Sequence, residues 1–217
     1  MSNLIITITG PSCSGKTFLT QMMVDTGKFA EVVSTTTRPQ RVGEVNGGTY
    51  HFVTPEEFMT IEMLECIEFN GNIYGGSVAE FQKQFASGLI PVIIVEPNGM
   101  VQVNKNALKQ DWHVINVFVK CPQRLQAERF LGRFAQETKA QWFRDDPSDL
   151  EKVMTEYVGR MVTMQGTEAD WFELYLNGIT DVSTETESMI IDQFGKENEQ
   201  EVLDSIVLKC ITAVKNE

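Results

Sequence analysis

A chain of 217 residues, 42% apolar and 22% charged, is large enough to bury a full core and has ordinary globular usage, which excludes a disordered or fibrous protein. Its net charge of −12 opposes a polyanionic partner, so nucleic acid is not an expected ligand and any phosphate site has to be locally basic. Cys13, Cys66, Cys121 and Cys210 form no CxxC pair, which argues for a reducing compartment, and the apolar run near the N-terminus is too short to span a bilayer; a cytoplasmic protein with no membrane partner is expected.

In chain order, residues 4–9 predict a buried strand that stops at a glycine-rich turn, and residues 15–25 a helix. Residues 32–36 and 49–53 predict short strands on either side of the polar loop RPQRVGEVNGG. Thr54-Pro55-Glu56-Glu57 supplies an N-cap, a proline at the first helical position and an acid at the third, so a helix is expected through about Leu64. A hairpin follows around Asn70-Gly71 in 68–74, then a helix over 78–87 ended by Gly88. IPVIIV at 90–95 is continuously apolar, as a strand covered on both faces is, and 114–119 repeats that pattern. Pro122 opens a basic amphipathic helix to about Arg133, and 149–165 resumes helical periodicity. Residues 172–176 suit a last strand and 199–214 a closing helix, whereas the acidic stretch between them has little periodicity outside Met189 to Ile191. Strands alternating with helices imply a mostly parallel sheet whose ligands lie at the carboxyl ends of its strands.

The turn after the first strand, Gly10-Pro11-Ser12-Cys13-Ser14-Gly15-Lys16-Thr17, fits G-x-x-x-x-G-K-[ST] at every defined position, between a predicted strand and a predicted helix. Such a loop wraps backbone N–H groups around a phosphate, with the helix N-terminus adding positive charge, the lysine bridging phosphates and the last hydroxyl available to Mg²⁺. The expected ATP site is Gly10, Ser12, Cys13, Ser14, Gly15, Lys16, Thr17 and Phe18, with Thr17 the metal ligand.

The segment from Ser34 to Val53 contains TTR-x-x-R-x-GE-x-x-G-x-x-Y-x-F, and Phe69 to Gly75 reads F-x-G-N-x-Y-G. These two stretches resemble the acceptor-binding segments of guanylate kinases, and with the phosphate loop they cover roughly the first hundred residues. A monophosphate carries nearly two negative charges and suits guanidinium forks and hydroxyl donors. The resemblance implies that Arg38, Arg41, Tyr50 and Tyr74 hold it, with Glu44 beside them. Guanine offers N1–H and its 2-amino group side by side, so one carboxylate accepts both, whereas adenine would leave that carboxylate unpaired. By resemblance Ser34 and Glu65 read the base, with Glu68 a nearby rival. The chain departs from the family in having Gly76 where a serine or threonine is usual, and Ile94 at the first acid of a D-x-D-x-x-G segment whose second acid is Glu96. Both departures bear on base specificity and on the acids around Mg²⁺.

Phosphoryl transfer demands charge stabilisation more than covalent chemistry. Arg124, Arg129, Arg133, Arg144 and Arg160 are candidates; Arg133 in FLGRF and Arg160 in VGRMV resemble the family's two lid arginines, and Arg129 is assigned to the adenine-nucleotide side. Trp142 and Phe143 between them are expected to pack the lid on the core. The resemblance implies an α/β, P-loop kinase fold: one domain over 1–217, with a core of 1–33, 89–125 and 168–217, a nucleoside-monophosphate-binding region of 34–88 and a helical lid of about 126–165. The implied activity is transfer from ATP-Mg²⁺ to GMP or dGMP, by a monomer or homodimer, with Lys16, Arg133 and Arg160 catalytic. Rival readings are a kinase of broader deoxynucleoside monophosphate range, a sugar-phosphate kinase, and an inactive guanylate-kinase-like module that binds a phosphopeptide; intact Lys16 and Thr17 speak against the last.

Overall fold

The computed structural model of the chain describes residues 3–41, 43–69, 71–141, 155, 175, 187–191 and 197–215. The fold centres on a parallel sheet of β1 (Leu4–Thr9), β2 (Phe29–Glu31), β7 (Ile90–Ile94), β8 (His113–Val119) and β9 (Glu187–Ile191), in the order β2-β7-β1-β8-β9. Every residue of β1 is buried, because Leu4, Ile6 and Ile8 pack on one face with Leu19 and Met23 of α1 (Lys16–Asp25) and Val202 and Ile206 of α6 (Glu199–Lys215). Ile5 points to the other face, among Phe81, Val103 and Trp112, on the side of α3 (Val78–Ala86) and α4 (Pro97–Lys109). Burial of both faces explains why β1, β7 and β8 carry apolar runs rather than alternation.

A second, four-stranded sheet has the order β4-β3-β6-β5: β3 (Thr35–Thr36), β4 (His51–Phe52), β5 (Met63–Phe69) and β6 (Asn72–Ser77). Consecutive threonines dock β3 on β6. The Thr36 hydroxyl donates to the Ile73 carbonyl (2.9 Å), and the Ile73 N–H donates to Thr37 Oγ1 (2.9 Å). The outer edge of β5 is tied to α4: Gln102 brackets Cys66, accepting from its N–H (3.1 Å) and donating to its carbonyl (3.0 Å), and Asn106 donates to Leu64 O (2.7 Å).

Beneath the main sheet's carboxyl ends lies a buried polar knot. Asn116 Oδ1 of β8 accepts from the Thr7 hydroxyl of β1 (2.6 Å) and from Asn104 of α4 (3.0 Å), and its own amide donates back to Asn104 (3.1 Å).

Several expectations need correction. The capping box at Thr54 is present, but α2 is only Pro55–Phe58, and Leu64 belongs to β5, so the expected helix stops a turn and a half early. Of the strand expected at 32–36 only Thr35–Thr36 is strand, as β3, while β2 lies just before it at Phe29–Glu31. α4, between the two apolar strands, was not anticipated. α5 (Gln123–Gln141) runs eight residues past the expected end at Arg133. Tyr175 is helical and fully buried, stacked on Phe118 at 4.7 Å with its hydroxyl on Asn116 O (3.3 Å), where a last strand was expected. That strand is β9 instead, inside the acidic stretch: it is short and pairs with β8 from Ile115↔Glu187 to Val119↔Ile191, so partnership rather than periodicity defines it. Of the helix expected over 149–165 only Thr155 is described, and it is helical.

Candidate active site

The glycine-rich turn joins β1 to α1. Gly10 is required by close approach, since a Cβ there would lie 2.4 Å from the Val119 carbonyl of β8. The loop's outward side is held by α5. Gln126 donates to Ser12 O (3.0 Å), and Arg129 Nη1 donates to Cys13 O (3.2 Å) and Ser14 O (3.1 Å). Because C=O and the following N–H point oppositely across a trans peptide, this turns the Cys13 and Gly15 N–H groups away from α5, toward the hollow of the loop. Cys13 takes a left-handed conformation, φ 60°, to complete the turn. Lys16 Nζ spans the mouth, donating to the carbonyls of Gly10 (2.7 Å) and Pro11 (2.8 Å). Ser12 is exposed, whereas Ser14 is fully buried and its hydroxyl, like that of Thr9, has no protein partner among the described residues. Thr17 and Phe18 are exposed on the first turn of α1.

The acceptor candidates gather on the second sheet. Arg38 and Glu44 form a two-pronged ion pair, Nη2 to Oε1 2.6 Å and Nη1 to Oε2 3.1 Å, with both side chains largely buried. The Arg41 N–H donates to Glu44 Oε2 (2.7 Å), and Gln40 Nε2 to the Glu44 carbonyl (2.6 Å). The hydrogen bond from Arg38, then that from the Arg41 N–H, holds the Glu44 carboxyl below its ordinary range. The Arg38 guanidinium lies 5.5 Å from the ring centroids of both Tyr50 and Phe52, and Tyr50 stands edge-on to Tyr74 at 5.9 Å. The loop thus presents one guanidinium in a fixed pose between aromatic rings, whereas the Arg41 side chain is exposed.

Glu65 is 6% exposed and sits where β5 slips register against β6 between Met63 and Glu65. A bulge at that point re-aims a side chain. Its Oε1 accepts from the Gly76 N–H (2.8 Å) directly across the hairpin. Burial, reinforced by the charge of Glu96, pushes its carboxyl up to about 7 against the Gly76 hydrogen bond. Glu68, the rival, is exposed, as an odd spacing along one strand dictates. Glu96 is the half-buried N-cap residue of α4, and Ser34 is half-buried with its carbonyl taken by the His51 N–H (2.9 Å).

On α5, Arg129 stands at the loop as described, Arg133 is exposed, and the exposed Arg124 pairs with Glu128 (3.0 Å). Arg144, Arg160, Trp142 and Phe143 lie outside the described residues. Sequence reasoning passed over Gln126, although it stands one helical turn before Arg129 and so shares its face. It also passed over Ile93, whose role depends on a contact with Gly76 that no local pattern announces.

A phosphate loop at the carboxyl end of a parallel sheet, with a separate small sheet bearing a preset arginine and a buried carboxyl, defines a P-loop nucleoside monophosphate kinase. The family model described as guanylate kinase matches residues 2–167. The chain belongs to the guanylate kinase family. It is 31% identical over 143 residues to a guanylate kinase of Chlamydia pneumoniae, covering 63% of this chain and 67% of that protein. It is 34% identical over 142 residues to one from Mycoplasmopsis pulmonis, covering 62% and 72% respectively. The crystal structure of guanylate kinase from Anaplasma phagocytophilum shares the fold, with a TM-score of 0.51 at 17% identity over 97% of this chain and 86% of that one.

Proposed function

We propose that the chain transfers the γ-phosphoryl group of ATP to GMP or dGMP. The observation that carries this reading is that one small sheet bears both a preset guanidinium, Arg38, and a buried carboxyl, Glu65, the two groups a guanine nucleotide's phosphate and base edge call for. In this reading the loop N–H groups and Lys16 hold the donor's phosphates, and Arg38, Arg41, Tyr50 and Tyr74 hold the acceptor's phosphate, with Glu44 fixing Arg38. Ser34, Glu65 and Glu96 line the base. An oxygen of the acceptor phosphate attacks the γ-phosphorus in line while the bond to the ADP oxygen breaks; Lys16, Arg133 and Arg160 spread the developing charge, and lid closure excludes water. No covalent intermediate with the protein is required.

Mg²⁺ fits this site through Thr17, whose exposed hydroxyl is a hard oxygen donor at the start of α1. Among the described residues no group of three or more His, Cys, Asp or Glu is gathered as a metal site, which suits an ion held by one protein oxygen, phosphates and water. When bound it neutralises phosphate charge. The division into a core, an acceptor region of 34–88 and a lid of about 126–165 follows from the same reading. Among the described residues no helix is long and apolar enough to cross a membrane, and the four cysteines are free thiols, features that suit the cytoplasm.

ADP release from ATP-Mg²⁺ against GMP, dGMP, AMP, CMP, dTMP and UMP tests the proposal. Turnover on GMP and dGMP is expected. Failure to phosphorylate any acceptor, with the protein folded, refutes a kinase and favours the phosphopeptide-binding module.

A further inference from the structure

The surroundings of Glu65 are unusual for a group that has to recognise two N–H donors. Among the described residues its carboxyl accepts one hydrogen bond, from the Gly76 N–H to Oε1 (2.8 Å), and that donor is uncharged. The groups around it come from four elements. β6 contributes Gly76; β7 contributes Ile93, whose Cδ1 would be 2.9 Å from a Cβ at position 76; α3 contributes Phe81, 3.1 Å from that same point; and α4 contributes Gly99, where a Cβ would lie 3.3 Å from Glu65 Oε2. Among the described residues the charge that acts on it is the like charge of Glu96 at the start of α4, and the neighbouring titratable group on β5 is the exposed Cys66 thiol. Ile93 and Phe81 fill the space a side chain at position 76 would take, so the wall beside the carboxyl is apolar and offers the base no hydroxyl there. Burial and a second acid favour the neutral acid over the carboxylate, and the one uncharged Gly76 N–H opposes them. This agrees with the upward displacement of the carboxyl to about 7.

The two protonation states complement different base edges. A carboxylate accepts twice, as the adjacent N1–H and 2-amino group of guanine require. A carboxylic acid donates once and accepts once, which matches a ring nitrogen acceptor next to an amino group. 2-Aminopurine presents that edge at the same two positions, N1 and the 2-amino group. Building on the guanine-nucleotide reading above, we infer that Glu65 is a two-state base reader, taking guanine when ionised and 2-aminopurine-type edges when neutral, and that Gly76 and Ile93 permit this by leaving the carboxyl to set the choice. Base preference then depends on pH.

The test compares GMP with 2-aminopurine riboside 5′-monophosphate as acceptors at saturating ATP-Mg²⁺, as the ratio of their kcat/KM values between about pH 6 and pH 8. Both acceptors carry the same phosphate, so its own ionisation and that of the donor site cancel in the ratio. The ratio of ionised to neutral Glu65 changes tenfold per pH unit, so GMP preference should rise about 100-fold across this window. Glu65→Gln presents one donor and one acceptor at every pH; it should prefer the 2-aminopurine nucleotide throughout and lose the pH slope. Binding followed by 2-aminopurine fluorescence should weaken with rising pH in the wild type and stay level in Glu65→Gln. A flat ratio with GMP turned over normally overturns the inference and leaves the kinase reading intact, whereas absence of turnover on every monophosphate overturns both.

Discussion

The donor and acceptor sides recognise their ligands by different means. In the proposed reading the phosphate loop is eight contiguous residues whose backbone does the binding, and the distant Arg129 and Gln126 hold its carbonyls in place. The base pocket has no such continuity, since Glu65, Gly76, Ile93 and Glu96 come from β5, β6, β7 and the start of α4. Backbone recognition of phosphate tolerates little variation in spacing, so the loop keeps its pattern. Side-chain recognition of a base depends on packed neighbours from several elements, as where a Cβ at position 76 would lie 2.9 Å from Ile93 Cδ1. The donor side is therefore local in form and the acceptor side assembled from distant parts.

This contrast can be broken or sharpened by mutation. Lys16→Ala should lower kcat/KM for transfer about 10²- to 10³-fold, as loss of a preorganised charge stabiliser does, while leaving equilibrium binding of GMP near normal. Near-normal turnover in steady-state ADP release would refute the assigned donor site. Next in size, Arg38→Ala should reduce acceptor kcat/KM about 100-fold, mostly through KM, because a desolvated charge-assisted contact to the phosphate is lost. Glu44→Gln, which only loosens the pose of that guanidinium, should cost about tenfold; equal losses from the two changes would mean that Glu44 itself meets the ligand.

Asn116→Ala tests the frame rather than the site. It removes the buried partner of the Thr7 hydroxyl and of Asn104 Oδ1, while Asn104 Nδ2 keeps the Met100 carbonyl (2.8 Å), and should destabilise by about 3 kcal/mol in urea titration, with kcat per folded molecule retained. An effect of similar size, but present only above neutral pH, is expected on stability at Glu65. Its folded value near 7 lies above the ordinary 4.5, so the folded state holds the proton more tightly than the unfolded chain. Its contribution is complete below about pH 4.5 and is lost as pH rises through about 7. Glu65→Gln should thus be near neutral at pH 4.5 and stabilising by about 3 kcal/mol at pH 8, and a stability difference that grows toward acid would mean that the carboxyl is ionised in the fold.

What the sequence made legible follows the same contrast. β1, α1 and the loop between them are evident because each is defined by its own residues: a buried run, a glycine turn, a lysine at the helix start. The hairpin around Asn70-Gly71 was legible, but its full extent from Met63 to Ser77, the order of the two sheets and the inward choice of Glu65 over Glu68 depend on a bulge and on pairing between strands, so the sequence offered both acids and the fold separated them. The helix expected through Leu64 failed for a related reason. A strong capping box nucleates a first turn, but β5 pairing with β6 claims the residues from Met63 onward. β9 was hidden because an edge strand can be set by its neighbour's hydrogen bonds with little periodicity of its own.

The bracket that Gln102 and Asn106 place on β5 has a mechanical consequence. It fastens the outer border of the acceptor sheet to α4, and α4 is in turn knotted through Asn104 to β8 of the core. A swing of that sheet toward the donor cannot pivot freely at this border without tearing three side-chain bonds, so the compliant margin is the opposite one, along β3 and β4 where Arg38, Tyr50 and their loop reside. Closure would then work like a door hung on its base-reading side, with the phosphate clamp at the free edge travelling furthest.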